Sequence, residues 1–254
     1  HCHTRRQRQM CIRDRTLDAH SIGSVERIKS RFSKIYPELE IIVHAAASWE
    51  EDPSSLLKTK KDIARANMVL ITLVFLEDHI SAILPDLKKA RENCDLMLGL
   101  VSSKEIVNLT KMGGLDMSKP SSGVLKFLKK LRGDKNKVTG GEKQMAILRQ
   151  IPKVLKFIPG KAQDLRAYFL SMQYWLAGSE ENIESLFCYL LSRYSSLHNS
   201  SKVEIKSPVE YPETGLYHPD IPKKITENIS EIPFAKNSIG TVGLLLMRSY
   251  VLSG

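Results

Sequence analysis

The chain has 254 residues, of which 42% are hydrophobic, and a formal net charge of +10. This length allows a buried core of one large domain or two small ones. Four scattered cysteines exclude a dense disulfide framework, and the sequence has neither an apolar run of about 18 residues nor an N-terminal hydrophobic stretch, which predicts a soluble intracellular protein.

Residues 1–15 contain five arginines and one aspartate and so supply much of the positive charge. The first three residues look like a metal cluster, and the arginines after them look like a nucleic-acid-binding arm. Neither a fourth metal ligand nor a nucleic-acid-binding fold accompanies them in the sequence. We therefore expect neither function from this segment.

Residues 16–112 have the pattern of an α/β domain. Three short apolar runs, Ile41 to Ala47, Met68 to Leu76 and Leu96 to Val101, alternate with polar-faced segments of helical length. Buried strands that alternate with helices are typical of a parallel sheet with crossover helices. The sequence therefore predicts an amino-terminal sheet of flavodoxin-like or related character.

The starts of the crossover helices carry capping residues. Asp52, which Pro53 follows, is expected to cap the first crossover helix, and Asp78 is expected to cap the second. The third is expected to begin with a capping box that runs from Ser102 to Glu105. These signals agree with the predicted strand ends.

A change of composition separates this domain from the next. Residues 113–140 are rich in Gly, Ser, Lys and Pro and predict a linker, whereas residues 141–195 predict a helical domain. Its first helix covers Met145 to Ile158 and is expected to kink or restart at Pro152.

Two further helices have clear ends. The stretch from Leu165 to Leu176 is apolar almost all round, and Gly178 stands where a left-handed residue would end a helix. Ser179 is placed to cap an amphipathic helix that continues to Tyr194. Because the connections are short, we expect the helices to pack antiparallel.

After these helices the periodicity weakens. Residues 196–238 contain five prolines and are predicted to run extended across a surface. Ile239 to Tyr250 has the pattern of a strand, so residues 239–254 are predicted to be the truncated start of a third domain.

Several strings resemble one family, that of the large, porphyrin-binding (H) subunits of magnesium chelatases, and the bacteriochlorophyll type more closely than the plant type. They occur in the family's order from residue 16 to the end. They are Thr16 to His20, Val43 to Pro53, Phe75 to His79, Ile151 to Asn182, Pro208 to Pro219 and Gly240 to Tyr250.

The resemblance implies a subunit that binds protoporphyrin IX for Mg²⁺ insertion, a ligase reaction of chlorophyll or bacteriochlorophyll biosynthesis. ATP would be hydrolysed by two partner subunits of ATPase type, in the cytoplasm of a photosynthetic bacterium rather than in a plastid stroma. The large subunits of the family are several times longer, so the catalytic regions would lie beyond Gly254 and this chain alone would be inactive. Residues 1–15 match nothing in the family and are interpreted as an artefactual extension.

Acidic residues gather where the predicted strands end. In an open α/β sheet, ligands favour the carboxyl ends of the strands. There, Glu50, Glu77, Asp78 and His79 could hold Mg²⁺ through waters, or His79 could act as a base. The alternative is that the carboxylates only complement the first turns of helices.

A basic helix face is the other candidate site. Lys153, Lys156, Lys161 and Arg166 could pair with porphyrin propionates or with acidic partner subunits, or could simply be a solvated face. A neighbouring run of aromatic residues and methionine, between Tyr168 and Trp175, could stack on a porphyrin but is more typical of a core.

The sequence contains no phosphate-binding GxxxxGK[ST], GxSxG, HExxH or paired CxxC motif. It therefore predicts no catalytic residues in this chain and no direct ATP binding. Two other functions remain open. One is the large subunit of a cobaltochelatase of corrin biosynthesis, and the other is a non-catalytic ligand-binding module.

Overall fold

The computed structural model describes residues 10–16, 20–119, 149–195, 205–212, 214–233 and 244–246; side chains before residue 23 and that of Lys161 lie outside this description. The elements in chain order are β1 (Met10–Thr16), α1 (His20–Ile35), β2 (Leu39–Ala45), α2 (Ser48–Glu51), α3 (Pro53–Arg65), β3 (Met68–Thr72), α4 (Glu77–Asn93), β4 (Leu96–Leu100), α5 (Lys104–Asn108), β5 (Lys111–Met112), β6 (Leu115–Asp116), α6 (Lys161–Ala177), α7 (Glu180–Tyr194), β7 (Leu216–Tyr217) and β8 (Ile225–Thr226).

A six-stranded sheet has the order β2-β1-β3-β4-β5-β6. The pairs β1·β2, β1·β3 and β3·β4 are parallel, whereas β5 and β6 add an antiparallel edge. The predicted parallel sheet is confirmed, and the order of its first four strands is that of a flavodoxin-like sheet. Met10–Thr16, most of which the sequence assigns to the extension, forms the second strand of this sheet, so the α/β domain begins before residue 16.

Apolar side chains alternate between the two faces of the central strands. In β3, Met68 and Leu70 belong to one core, while Val69 and Ile71 belong to the other. All five residues of β3 are buried, as the period of two along a strand requires when both faces are covered.

One face of the sheet is covered by α1, α6 and α7. Phe32 of α1 and Phe187 of α7 are both 0% exposed, and their ring centroids are 6.4 Å apart. The guanidinium of Arg31 in α1 also donates hydrogen bonds to the carboxylates of Glu180 and Glu184 in α7, and each bond is 2.6 Å long. Burial alone would raise the pKa of Glu180, but hydrogen bonds from Arg27 and Arg31 leave it lowered.

The helices that the sequence predicts as a separate domain therefore share a core with the sheet. Buried residues of α6 and α7 lie in the same cluster as those of α1, β2, β3 and β4. The predicted linker also begins too early, because β5 and β6 form a hairpin around Gly113, whose φ is +55°. Most of that linker, from residue 120, lies outside the described residues.

The opposite face carries α2, α3, α4 and α5 over a second core. Asp52 caps α3 as predicted, since its carboxylate accepts from the amide of Ser54 at 2.9 Å. Hydrogen bonds from the Ser54 hydroxyl and amide lower the pKa of Asp52. The predicted capping box from Ser102 to Glu105 is wrong, because Ser103 caps α5 by accepting from the amide of Ile106, and isoleucine cannot return a side-chain hydrogen bond.

The two best-defined helix ends are confirmed. Gly178 follows α6 with φ 71°, in the left-handed conformation that glycine adopts without strain. Ser179 caps α7 by accepting from the amide of Asn182. Of the predicted first helix, residues 149–155 are helical.

Residues 205–212 have no regular secondary structure and are held against the helices. The buried Asn182 side chain donates to the carbonyl of Val209 at 3.0 Å and accepts from the Val209 amide at 2.9 Å. The hydroxyl of Tyr174 donates to the carbonyl of Lys206 at 2.6 Å. A β7–β8 hairpin follows. The predicted strand from Ile239 lies outside the described residues except for 244–246, which form no strand.

Candidate functional site

The carboxyl ends of β2, β3 and β4 form one edge of the sheet. The chain order of the strands changes between β1 and β3, and a crevice at such a point is the usual ligand site of an open α/β sheet. β2 is followed there by α2, β3 by residues 73–76, and β4 by residues 101–103. The predicted acidic cluster lies at this edge.

The connection after β3 has an unusual backbone conformation that hydrogen bonds stabilise. Leu73 and Val101 have φ values of 56° and 44°, although left-handed backbone is costly for side chains of this size. The amide of Leu73 donates to the carbonyl of Val101 at 3.1 Å, and the amide of Ser103 donates to the carbonyl of Val74 at 2.9 Å. These bonds fix the two connections against each other.

Phe75 and Leu76 follow this turn and point outward. Their exposed fractions are 53% and 52%, whereas Val74 just before them is 0% exposed. Val74 therefore anchors the connection in the core, and the next two apolar side chains are held in solvent. The predicted role of Asp78 as an N-cap is wrong, because α4 begins at Glu77 and Leu76 occupies the cap position without a side-chain bond.

A buried histidine lies beneath this connection. His79 is 4% exposed, and its ring packs edge-on against Trp49, with the ring centroids 5.5 Å apart. Neither ring nitrogen has a hydrogen-bond partner within the described residues. Glu50 Oε1 is 3.5 Å from His79 Nε2, and the Glu50 side chain is 75% exposed. The structure thus brings together two of the four candidate metal ligands, Glu50 and His79.

The candidate Mg²⁺ site is not assembled in this geometry. Within the part of the chain that the structure describes, no three His, Cys, Asp or Glu side chains come close enough to hold one metal ion. Glu77 and Asp78 are exposed in the first turn of α4, where they complement the helix macrodipole. The alternative interpretation of these carboxylates therefore fits better.

The basic candidates lie on α6 and on the segment just before it. Lys153 and Lys156 are exposed, while Arg166 donates to the carbonyl of Pro152 at 3.1 Å and so ties α6 to the segment before it. The side chain of Lys161 lies outside the described residues. Arg166 therefore has a structural role.

The aromatic run of α6 is mostly core. Tyr168, Phe169, Tyr174 and Trp175 are between 2% and 7% exposed. Burial raises the pKa of Tyr168 to about 12, so its hydroxyl stays protonated at neutral pH. A porphyrin could not stack on these rings without displacing the helix.

An open depression of about 750 Å³ lies between Arg149 and the segment from Glu210 to Glu231. Its lining mixes basic Arg149 and Lys223 with acidic Glu210, Glu227 and Glu231. The sequence did not predict it, because the two walls are far apart along the chain. Asn182 of α7 does not line the depression, but its buried amide requires a partner and so could have indicated that the segment around Val209 packs on this helix.

No helix in the described part of the chain is both long enough and apolar enough to cross a membrane.

Two family models match the chain. The model described as a domain of unknown function (DUF3479) matches residues 15–169, and one described as CobN/magnesium chelatase matches residues 172–254. The boundary between the matches falls within α6, where the structure shows a continuous helix.

Curated relatives agree with the second description. The chain is 51% identical over 239 residues to the magnesium-chelatase H subunit of Cereibacter sphaeroides and 48% identical over 239 residues to that of Rhodobacter capsulatus. Both comparisons cover 94% of this chain and 20% of the relative. The chloroplastic magnesium-chelatase protein ChlH of Oryza sativa subsp. indica is 27% identical over 205 residues, which cover 76% of this chain and 15% of the relative. The chain thus spans about a fifth of the length of the bacterial relatives it matches.

Proposed function

Because this chain belongs to the family described as a domain of unknown function (DUF3479), and because half of its residues are identical to those of a magnesium-chelatase H subunit, we propose that it is the amino-terminal part of such a protein. The whole protein would hold protoporphyrin IX while Mg²⁺, its second substrate, is inserted. The reaction is a step of bacteriochlorophyll or chlorophyll biosynthesis.

The identity of 51% over 239 residues carries this proposal. The two bacterial relatives at 51% and 48% are nearer than the chloroplastic relative at 27%, which supports an assignment to the bacteriochlorophyll type. The resemblance covers both the sheet and the helical layer, which the structure joins through one core.

In this proposal, metal insertion and ATP hydrolysis take place in other regions of the large subunit and in its partner subunits. The matched region is 20% of the bacterial relative, so most of the large subunit lies elsewhere. We propose that metal insertion occurs there, that ATP is hydrolysed by two ATPase-type partner subunits, and that the enzyme, a ligase, works in the bacterial cytoplasm. The described head would shape access to the porphyrin or dock a partner, and alone it would be inactive.

A chimeric protein tests the proposal. In the Cereibacter sphaeroides H subunit, the matched region is replaced by the corresponding residues of this chain, and the purified chimera is mixed with the other subunits of that enzyme, protoporphyrin IX and ATP. Magnesium protoporphyrin is followed by fluorescence. We expect a rate within about tenfold of the natural protein, which corresponds to a change of no more than about 1.4 kcal/mol in the activation barrier.

Two controls separate the alternatives. The equivalent chimera in a cobaltochelatase large subunit, assayed with its own partners, Co²⁺ and the corrin precursor, would be active in place of the magnesium-chelatase chimera if the chain came from a cobaltochelatase. The isolated chain with the magnesium-chelatase partners should form no product. If both chimeras fold and neither is active, the proposed function is contradicted and a non-catalytic module is favoured.

A further inference from the structure

The carboxylates at the carboxyl edge of the sheet differ from those elsewhere in the chain. Glu50, Glu51, Glu77 and Asp78, together called the acidic rim, are all exposed. Within the described residues none of them has a lysine or arginine partner. On the other face, Glu180 and Glu184 are paired with arginines. Apart from the macrodipole of α4, no lysine or arginine side chain within the described residues offsets the charge of the rim, although the net charge of the chain is +10.

The rim surrounds an apolar centre. Phe75 and Leu76 are more than half exposed, and they are adjacent in sequence to Glu77 and Asp78. The amides of Leu73 and Val74 are bonded to the connection after β4, so the backbone just before the two side chains is held in place. An apolar pair carried on a fixed backbone loses less conformational entropy when a partner covers it than a pair on a mobile loop.

His79 is an independent indication that this surface lacks a binding partner. Both of its ring nitrogens are buried without a hydrogen-bond partner in the described part of the chain, and buried polar groups normally have one. Nε2 lies 3.5 Å from Glu50 Oε1, which is longer than an ordinary N–H···O bond. Small movements of the Glu50 side chain would close this contact while its other oxygen accepts from a cation outside.

We propose that the acidic rim with Phe75 and Leu76 is a docking surface for a basic, apolar segment of a partner protein. Lysine or arginine side chains of that segment would pair with the rim, and its apolar side chains would cover Phe75 and Leu76. Opposite charge sets orientation, while the central apolar contact supplies most of the affinity. The inference depends on the surface alone and goes beyond the proposed chelatase role.

A labelled synthetic peptide can test this surface. The probe is a leucine–lysine peptide with helical periodicity, titrated with the full chain while fluorescence anisotropy is recorded at fixed salt. We expect saturable binding. The double variant Glu50→Gln with Glu77→Gln should weaken it roughly tenfold or more, and Phe75→Ser with Leu76→Ser should have a similar effect.

The matched control removes the same charge from the opposite edge of the sheet. Glu38 precedes β2 and Glu92 lies at the end of α4, and both are exposed. The double variant Glu38→Gln with Glu92→Gln should change binding less than about twofold. A leucine–glutamate peptide of the same pattern should not bind. The proposal is overturned if the basic peptide does not bind saturably, or if the two double variants weaken binding equally.

Discussion

Replacing Phe187 with alanine is expected to lower the free energy of unfolding by about 3–5 kcal/mol, the usual cost of removing a fully buried aromatic ring. The ring is 0% exposed and lies between α7 and Phe32 of α1. Its loss would leave a cavity at the junction of the helices that cover the sheet. Urea unfolding followed by far-ultraviolet circular dichroism measures the change.

Phe157→Ala is the matched control, since Phe157 is 84% exposed. The same chemical change there should alter the unfolding free energy by no more than about 0.5 kcal/mol. If Phe187→Ala were as mild as Phe157→Ala, the packing of α7 on α1 could not be a main source of stability.

Gly99→Ala is expected to destabilise the chain by about 1–3 kcal/mol through overpacking. A Cβ at this position in β4 would lie 2.7 Å from the carbonyl oxygen of Ile106 and 3.1 Å from the Cα of Val107. Both are backbone atoms of α5, which cannot rotate away as a side chain can. Thermal unfolding should show a lower midpoint.

Gly23→Ala provides the opposite case. Gly23 lies inside α1, and a Cβ there would meet only the end of the Arg27 side chain at 3.5 Å. Alanine should stabilise the helix by about 0.5–1 kcal/mol, because glycine loses more backbone entropy on folding. A similar loss of stability at both positions would show that the close approach of β4 and α5 is not what makes Gly99 sensitive.

Local chemistry made some elements predictable from sequence. Gly178 and Ser179 define their helix ends through backbone conformation and a single hydrogen bond, and neither depends on distant residues. Asp52 was predictable as the cap of α3 for the same reason. The buried strands were visible because their apolar runs are continuous.

Long-range contacts account for what the sequence did not predict. The β5–β6 hairpin has strands of only two residues, and its glycines are typical of a linker. The start of α4 lies at Glu77 rather than after Asp78 because the left-handed turn at Leu73 depends on the connection after β4. The packing of α6 and α7 on the sheet could not be predicted from the sequence either, since it depends on which surfaces meet in the folded chain.

The surroundings of the candidate residues also depend on long-range contacts. The sequence placed Glu50 and His79 at the carboxyl edge, and the structure brings them to 3.5 Å. It could not show that the imidazole is buried without a partner among the described residues, or that Phe75 and Leu76 are exposed beside it. Periodicity does not distinguish a core residue from an apolar side chain held at the surface.

The two tryptophans test most directly whether α6 and α7 form one body with the sheet. Trp49 lies in the core on one face of the sheet, and Trp175 of α6 lies in the core on the other. In Trp175→Phe and Trp49→Phe variants, the remaining tryptophan reports on a single layer. We predict that in each variant the urea transition seen by fluorescence coincides with that seen by circular dichroism. Separate transitions, with Trp175 unfolding while the sheet remains intact, would contradict the shared core.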